Sequence, residues 1–71
     1  MNDSSIPPEP AADDLEAYVG LDGVAAEERA RQHGWSTIRV LPPDAIITME
    51  YMSGRINLAV KDGEVVRCWK G

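Results

Sequence analysis

The side chains able to do covalent or metal chemistry are few and scattered. Cys68 is the only cysteine and His33 the only histidine in a chain of 71 residues. No Cys/His pairing of the kind that holds zinc is possible, and neither is an internal disulfide. Ser36 and Ser53 have no base at a spacing that suggests nucleophilic activation. His33 reads as surface or helix-terminal packing. Cys68 reads as a partly buried thiol, with an intermolecular disulfide as the alternative. No acid–base or metal constellation is present, so the sequence points away from an enzyme and calls for no cofactor. What remains is recognition. Residues 43–54 set Met49 and Tyr51 on either side of Glu50, with Ile46, Ile47 and Met52 close by. An extended, exposed loop with apolar side chains beside an acid marks a binding surface. Strand propensity offers a second reading, a fourth strand ending in a Ser53-Gly54 turn. The alternation is poor for a strand: Ile46 and Ile47 are adjacent, and Met49, Tyr51 and Met52 do not share a face.

The elements that must position this segment read as helix, strand, loop, strand, strand. Residues 15–20 look like the entry to the core, with Leu15, Tyr18 and Val19 as anchors. Asp22 stands where an N-cap belongs. The following run to His33 is alanine-rich and free of proline, with Glu27 and Arg31 four apart in the favourable order. Gly34 supplies the stop. Val24, Ala26 and Ala30 form the expected buried face. Residues 36–41 are rich in β-branched side chains and end at Pro42-Pro43, a strand with a hard stop. Residues 55–60 alternate, with Ile56, Leu58 and Val60 toward the core. Asp62-Gly63 is a hairpin signal that leads into residues 64–69. A connection of about 12 residues between the first two strands is long enough to join them in parallel. Trp35 and Trp69 read as lids on the core, and Asp44 as turn chemistry.

Charge separates the chain into two parts. The net charge is -5 with a sequence pI near 4.6, which argues against binding a nucleic acid backbone. Residues 1–22 carry six acids and no base, whereas residues 23–71 carry six acids and seven bases. With Pro7, Pro8 and Pro10 and few large apolar groups, residues 1–14 are expected to be a disordered, solubilising tail, and residues 15–71 a single domain. No apolar stretch approaches a membrane span, and no recognisable secretion signal opens the chain, which leaves the location unknown and cytoplasmic only by default.

Taken together, Val40-Leu41-Pro42, then Ile46-Ile47-Thr48-Met49-Glu50-Tyr51, then Arg55-Ile56-Asn57-Leu58 resemble the potato inhibitor I type of serine protease inhibitor. The Thr48-Met49-Glu50-Tyr51 run is similar to the loop of the barley chymotrypsin inhibitor. Arg55-Ile56-Asn57 is closer to the bacterial branch, the inhibitor I78 family. The resemblance extends from about Val19 to Gly71. It implies an α+β fold: one helix packed on a small mixed sheet, with a long extended reactive loop joining two parallel strands. It also implies a small protein, monomeric when free, that offers this loop as a substrate to serine endopeptidases of the subtilisin or chymotrypsin type. Carried over by position, the scissile bond is Met49–Glu50, with Met49 as P1, Thr48 as P2, Ile47 as P3, Glu50 as P1′ and Tyr51 as P2′. Arg55 matches the arginine that braces the loop from below. Asn57 is the second expected bracing residue, through a neutral amide bridge; it stands where plant inhibitors often have a second arginine, a departure from the plant pattern that fits the bacterial branch. On spacing alone, Arg55 and Asn57 are solvated strand residues.

The chemistry of these residue types suits such a role. Met49 is unbranched and polarizable and can enter an apolar primary pocket, placing its carbonyl in an oxyanion hole. Ile47 and Tyr51 add strand-like contacts. Arg55 has five N–H groups with which to hold Glu50, Thr48 or loop carbonyls. The other function class left open is a non-inhibitory interaction module of the same fold, binding a cellular partner through the loop or a sheet edge. The missing secretion signal favours it, since many relatives are exported.

Overall fold

The computed structural model describes Pro10, residues 13–45 and residues 50–71. A 3-10 helix (Leu15–Tyr18) precedes α1 (Gly23–Gln32), followed by β1 (Thr37–Leu41), β2 (Arg55–Lys61) and β3 (Glu64–Lys70). This is the expected α+β class, one helix on a small mixed sheet.

Local chemistry sets the helix. The Asp22 carboxylate accepts from the amides of Val24 at 3.0 Å and Ala25 at 3.4 Å, satisfying two donors that the first turn leaves free. At the other end, Gly34 takes φ +98°, and the Trp35 amide donates to the Ala30 carbonyl, a glycine-terminated helix end. Ala26 and Ala30 are fully buried, bringing the helix backbone close to the sheet. Val24 was expected beside them but is 74% exposed. Two residues correspond to roughly 200° of rotation, so Val24 lies across the helix from Ala26.

The sheet has the order β1-β2-β3. β1 and β2 are parallel, with Ile38 opposite Ile56 and Val40 opposite Leu58. β2 and β3 are antiparallel and joined at Asp62-Gly63, both at positive φ (52° and 82°), as a two-residue hairpin turn demands. A register shift between Ala59 and Val60 interrupts the ladder. It lets Val65 reach the core while Val66 is left outside. Residues before the helix cover part of the outer edge of β3: the Gly20 amide donates to the Val65 carbonyl and the Val65 amide to the Leu21 carbonyl. The rest of that edge is bordered by a shallow groove of about 320 Å³ lined by Glu16, Val19, Val66, Arg67, Cys68 and Trp69.

The core lies between α1 and one sheet face: Tyr18, Ala26, Ala30, Trp35, Ile56, Leu58 and Val65. Burying one large aliphatic side chain contributes about 1.5–3 kcal/mol, so a core this small depends on its few members. Leu15 packs against it half-buried, but Val19, the third expected anchor, is largely exposed. The chain turns at Val19-Gly20 to reach the edge of β3, and that turn points Val19 outward. Trp35 is in the core as expected. Trp69 pairs with Asn57 on the opposite sheet face, half-buried, with the Arg67 guanidinium 4.8 Å from its ring centroid.

Residues 42–54 connect the two parallel strands. Pro43 and Asp44 form a turn closed by the Ala45 amide on the Pro42 carbonyl, and Ser53-Gly54 forms another, with Gly54 at φ +82°. Among the described residues of this connection none is in a strand. No helix among the described residues is long and apolar enough to cross a membrane.

Candidate functional site

Strand alternation sends Ile56 and Leu58 toward the helix, and therefore Arg55 and Asn57 toward the other face. They are not solvated there. Arg55 is 8% exposed and Asn57 fully buried. Buried polar groups of this size require partners, and the partners define the site.

Arg55 extends its fork between two carbonyl oxygens. Nη2 donates to the backbone carbonyl of Glu50 at 2.8 Å, and Nε donates to the Gly71 oxygen at 2.8 Å. Its own carbonyl accepts the Gly71 amide at 3.0 Å. The segment before β2 and the residue after β3 are thus joined through one guanidinium. Asn57 joins the same meeting of segments. Its Nδ2 donates to the carbonyl oxygens of Trp69 at 3.2 Å and Gly71 at 3.4 Å, while its Oδ1 accepts from Arg39 Nε at 2.8 Å. Gly71 is the meeting point, and it must be small. It has φ +101°, and a Cβ there would fall 2.5 Å from the Tyr51 ring.

Above this network Glu50, Tyr51 and Met52 are exposed, Tyr51 at 64%. Ile47, Thr48 and Met49, expected with Glu50 and Tyr51 to contact a protease, lie outside the described residues. The connection rejoins the sheet at Gly54, whose carbonyl accepts from the amides of Ser36 and Thr37 and from Ser36 Oγ. Chemically, the arrangement can clamp an exposed peptide from beneath through main-chain carbonyls. No cluster of His, Cys, Asp or Glu able to hold a metal is present among the described residues.

Two participants have no local sequence signal. Arg39 reads as an ordinary charged residue on the face of β1 opposite Ile38, and its partner Asn57 is 18 positions away. Asp13, in the expected tail, accepts from Tyr18 Oη at 2.7 Å, Trp35 Nε1 at 2.8 Å and His33 Nδ1 at 2.8 Å. A carboxylate only accepts, so His33 Nδ1 carries the proton of this contact. The only hint was that a buried tyrosine and tryptophan each need a polar partner. Burial opposes ionisation of Asp13. The hydrogen bonds from Trp35, Tyr18 and His33 and the His33 charge outweigh it and hold the carboxyl below its ordinary 3.8. Cys68 is half-buried, and burial, with the charges of Asp13 and Glu16, pushes its thiol up to about 12.

A small helix-on-sheet scaffold whose buried arginine holds a surface segment by its main chain is a framework for presenting a peptide. The model of the peptidase inhibitor I78 family matches residues 11–71. The chain belongs to that family: its role is to inhibit a peptidase and its partner is a protease. Members of such a family are in general not enzymes. No curated protein matches the chain.

Proposed function

We propose that the chain inhibits serine endopeptidases of the subtilisin or chymotrypsin type by presenting residues 47–51 as a substrate, in the manner of the potato inhibitor I type. Met49 fills the apolar primary pocket as P1, and Met49–Glu50 is the scissile bond. Thr48 and Ile47 extend the contact on one side and Tyr51 on the other, over an interface of about 1,600 Å². The domain that does this is residues 15–71 with Asp13 and Asp14 held on it, monomeric when free, and the residues ahead of Asp13 form a tail.

The observation that carries this reading is the Arg55 hydrogen bond to the Glu50 carbonyl. Glu50 is the residue whose amine would leave on cleavage. A leaving fragment held by its first carbonyl, from a buried arginine anchored at Gly71, stays beside the acyl group. Religation then competes with release. Holding the segment in advance also removes part of the ordering cost of binding, about 0.5–1.5 kcal/mol for each flexible side chain. The exposed Tyr51 adds apolar contact next to the bond.

Titration of active-site-counted subtilisin and chymotrypsin with the purified chain tests the proposal. Stoichiometric loss of peptidase activity is expected, and no inhibition at micromolar chain concentration overturns it.

A further inference from the structure

We propose that Arg39 is a positioning residue for the inhibitory loop, acting through Asn57 and Gly71 on Arg55. This rests on the reading of residues 47–51 as the protease-binding loop. It adds a residue on the strand that precedes the loop to a brace otherwise built from the strand that follows it.

An asparagine side chain has two ends of similar shape and opposite character. In the fully buried Asn57 the nitrogen end faces two carbonyl oxygens, those of Trp69 and Gly71, and the oxygen end faces Arg39 Nε. A guanidinium only donates, so Arg39 accepts one orientation of the amide and rejects the other. Without Arg39 the buried Oδ1 loses its donor, and the reversed amide points oxygen at oxygen across to Gly71. The Gly71 oxygen is the one that also receives Arg55 Nε, and the other arm of Arg55 holds the Glu50 carbonyl. The order of action is Arg39 to Asn57, Asn57 to Gly71, Gly71 to Arg55, Arg55 to the loop. The parallel β1–β2 register, which sets Arg39 directly opposite Asn57, makes the first step possible. Two guanidinium groups therefore serve the loop, one directly and one by fixing a neutral amide.

The test compares Arg39→Ala, Arg39→Gln, Asn57→Ala and the Arg39→Ala/Asn57→Ala pair, with Val60→Ala as a control that lowers stability away from the network. Two quantities are read: the exchange protection of the Arg55 Nε proton in the free chain by NMR, and the rate at which bound chain is cleaved by subtilisin. For Arg39→Ala we expect lost protection and cleavage about tenfold faster, the equivalent of one charge-assisted hydrogen bond. Arg39→Gln, which keeps an N–H donor, recovers part of both. The pair is no worse than Asn57→Ala alone, and Val60→Ala changes neither quantity. Unchanged protection and cleavage in Arg39→Ala, additive effects in the pair, or the same response from Val60→Ala overturn the proposal. If the parent chain does not inhibit, the loop reading fails, while the Arg55 proton still decides whether Arg39 sets the network.

Discussion

The Arg55 guanidinium spans the 2.8 Å from its Nη2 to the Glu50 carbonyl oxygen while its Nε holds Gly71 at the same distance. Both bonds come from one planar group, so the spacing between loop and chain end is set by covalent geometry rather than by two independent side chains.

Lysine has one donor centre and cannot reproduce that span. Arg55→Lys is therefore expected to behave nearly as badly as Arg55→Ala. Both should release or be cut by a target protease about 10- to 100-fold faster than the parent, for the loss of one or two charge-assisted hydrogen bonds. Dissociation rates from immobilised protease check this. A Lys variant with the parent's complex lifetime would show that charge alone, not the fork, holds the segment.

Asp13 joins the residues before the helix to both sides of the helix end. Its side chain is 3% exposed, so replacing it with Ala leaves the Tyr18, Trp35 and His33 donors unmatched. Asp13→Ala should lower unfolding free energy by about 2–4 kcal/mol, measured by urea denaturation at neutral pH.

The same carboxyl gives a pH dependence of known sign. Its folded pKa lies below the ordinary 3.8, so its stabilisation is complete above that value and is lost as pH falls through the lowered one. Asp13→Asn should flatten the acid limb of the stability curve below about pH 4. An unaltered acid limb would mean that the three hydrogen bonds favour the neutral and charged forms equally.

What could be read from the sequence was what is local. The Asp22 cap, the Gly34 stop, the Asp62-Gly63 turn and the alternation of Ile56 and Leu58 each depend on residues within a few positions, and each forms. Val24 was misplaced because a short alanine-rich helix has no strong apolar stripe, so its neighbours decide which face is buried, and Val19 because the turn at Val19-Gly20 points it outward. Val66 is turned out by a register shift that two adjacent valines do not announce. In the site, the polar character of Arg55 and Asn57 was visible, but their burial was not, because it depends on Glu50, Arg39, Trp69 and Gly71 converging from separate segments. Asp13 with Trp35 and Arg39 with Asn57 are partners 22 and 18 positions apart, beyond the reach of any local pattern.

Gly54 is where the connection turns into β2. At φ +82°, with a Cβ position 2.5 Å from Ser36 Oγ, Gly54→Ala has both a strained backbone and a collision. It should cost about 1–3 kcal/mol by thermal unfolding. Adding Ser36→Ala should recover the collision part and leave the backbone part. If the double variant is as unstable as the single one, backbone strain alone accounts for the loss.

Cys68 should be a poor nucleophile. With its thiol pushed up to about 12, the reactive thiolate is scarce at neutral pH. Iodoacetamide at pH 7.5 should leave the native chain unlabelled on a timescale that fully labels the urea-unfolded chain, read by intact mass. Equal rates would place the thiol in open solvent.

The central claim is that a protease meets residues 47–51 as a substrate it cannot readily release in pieces. Intact mass of the chain after long incubation with a catalytic amount of subtilisin tests it most directly. A single slow cut between Met49 and Glu50, with both fragments still associated and the enzyme still inhibited, is the result this account predicts. Prompt cutting at several positions, or a first cut elsewhere than Met49–Glu50, would contradict it.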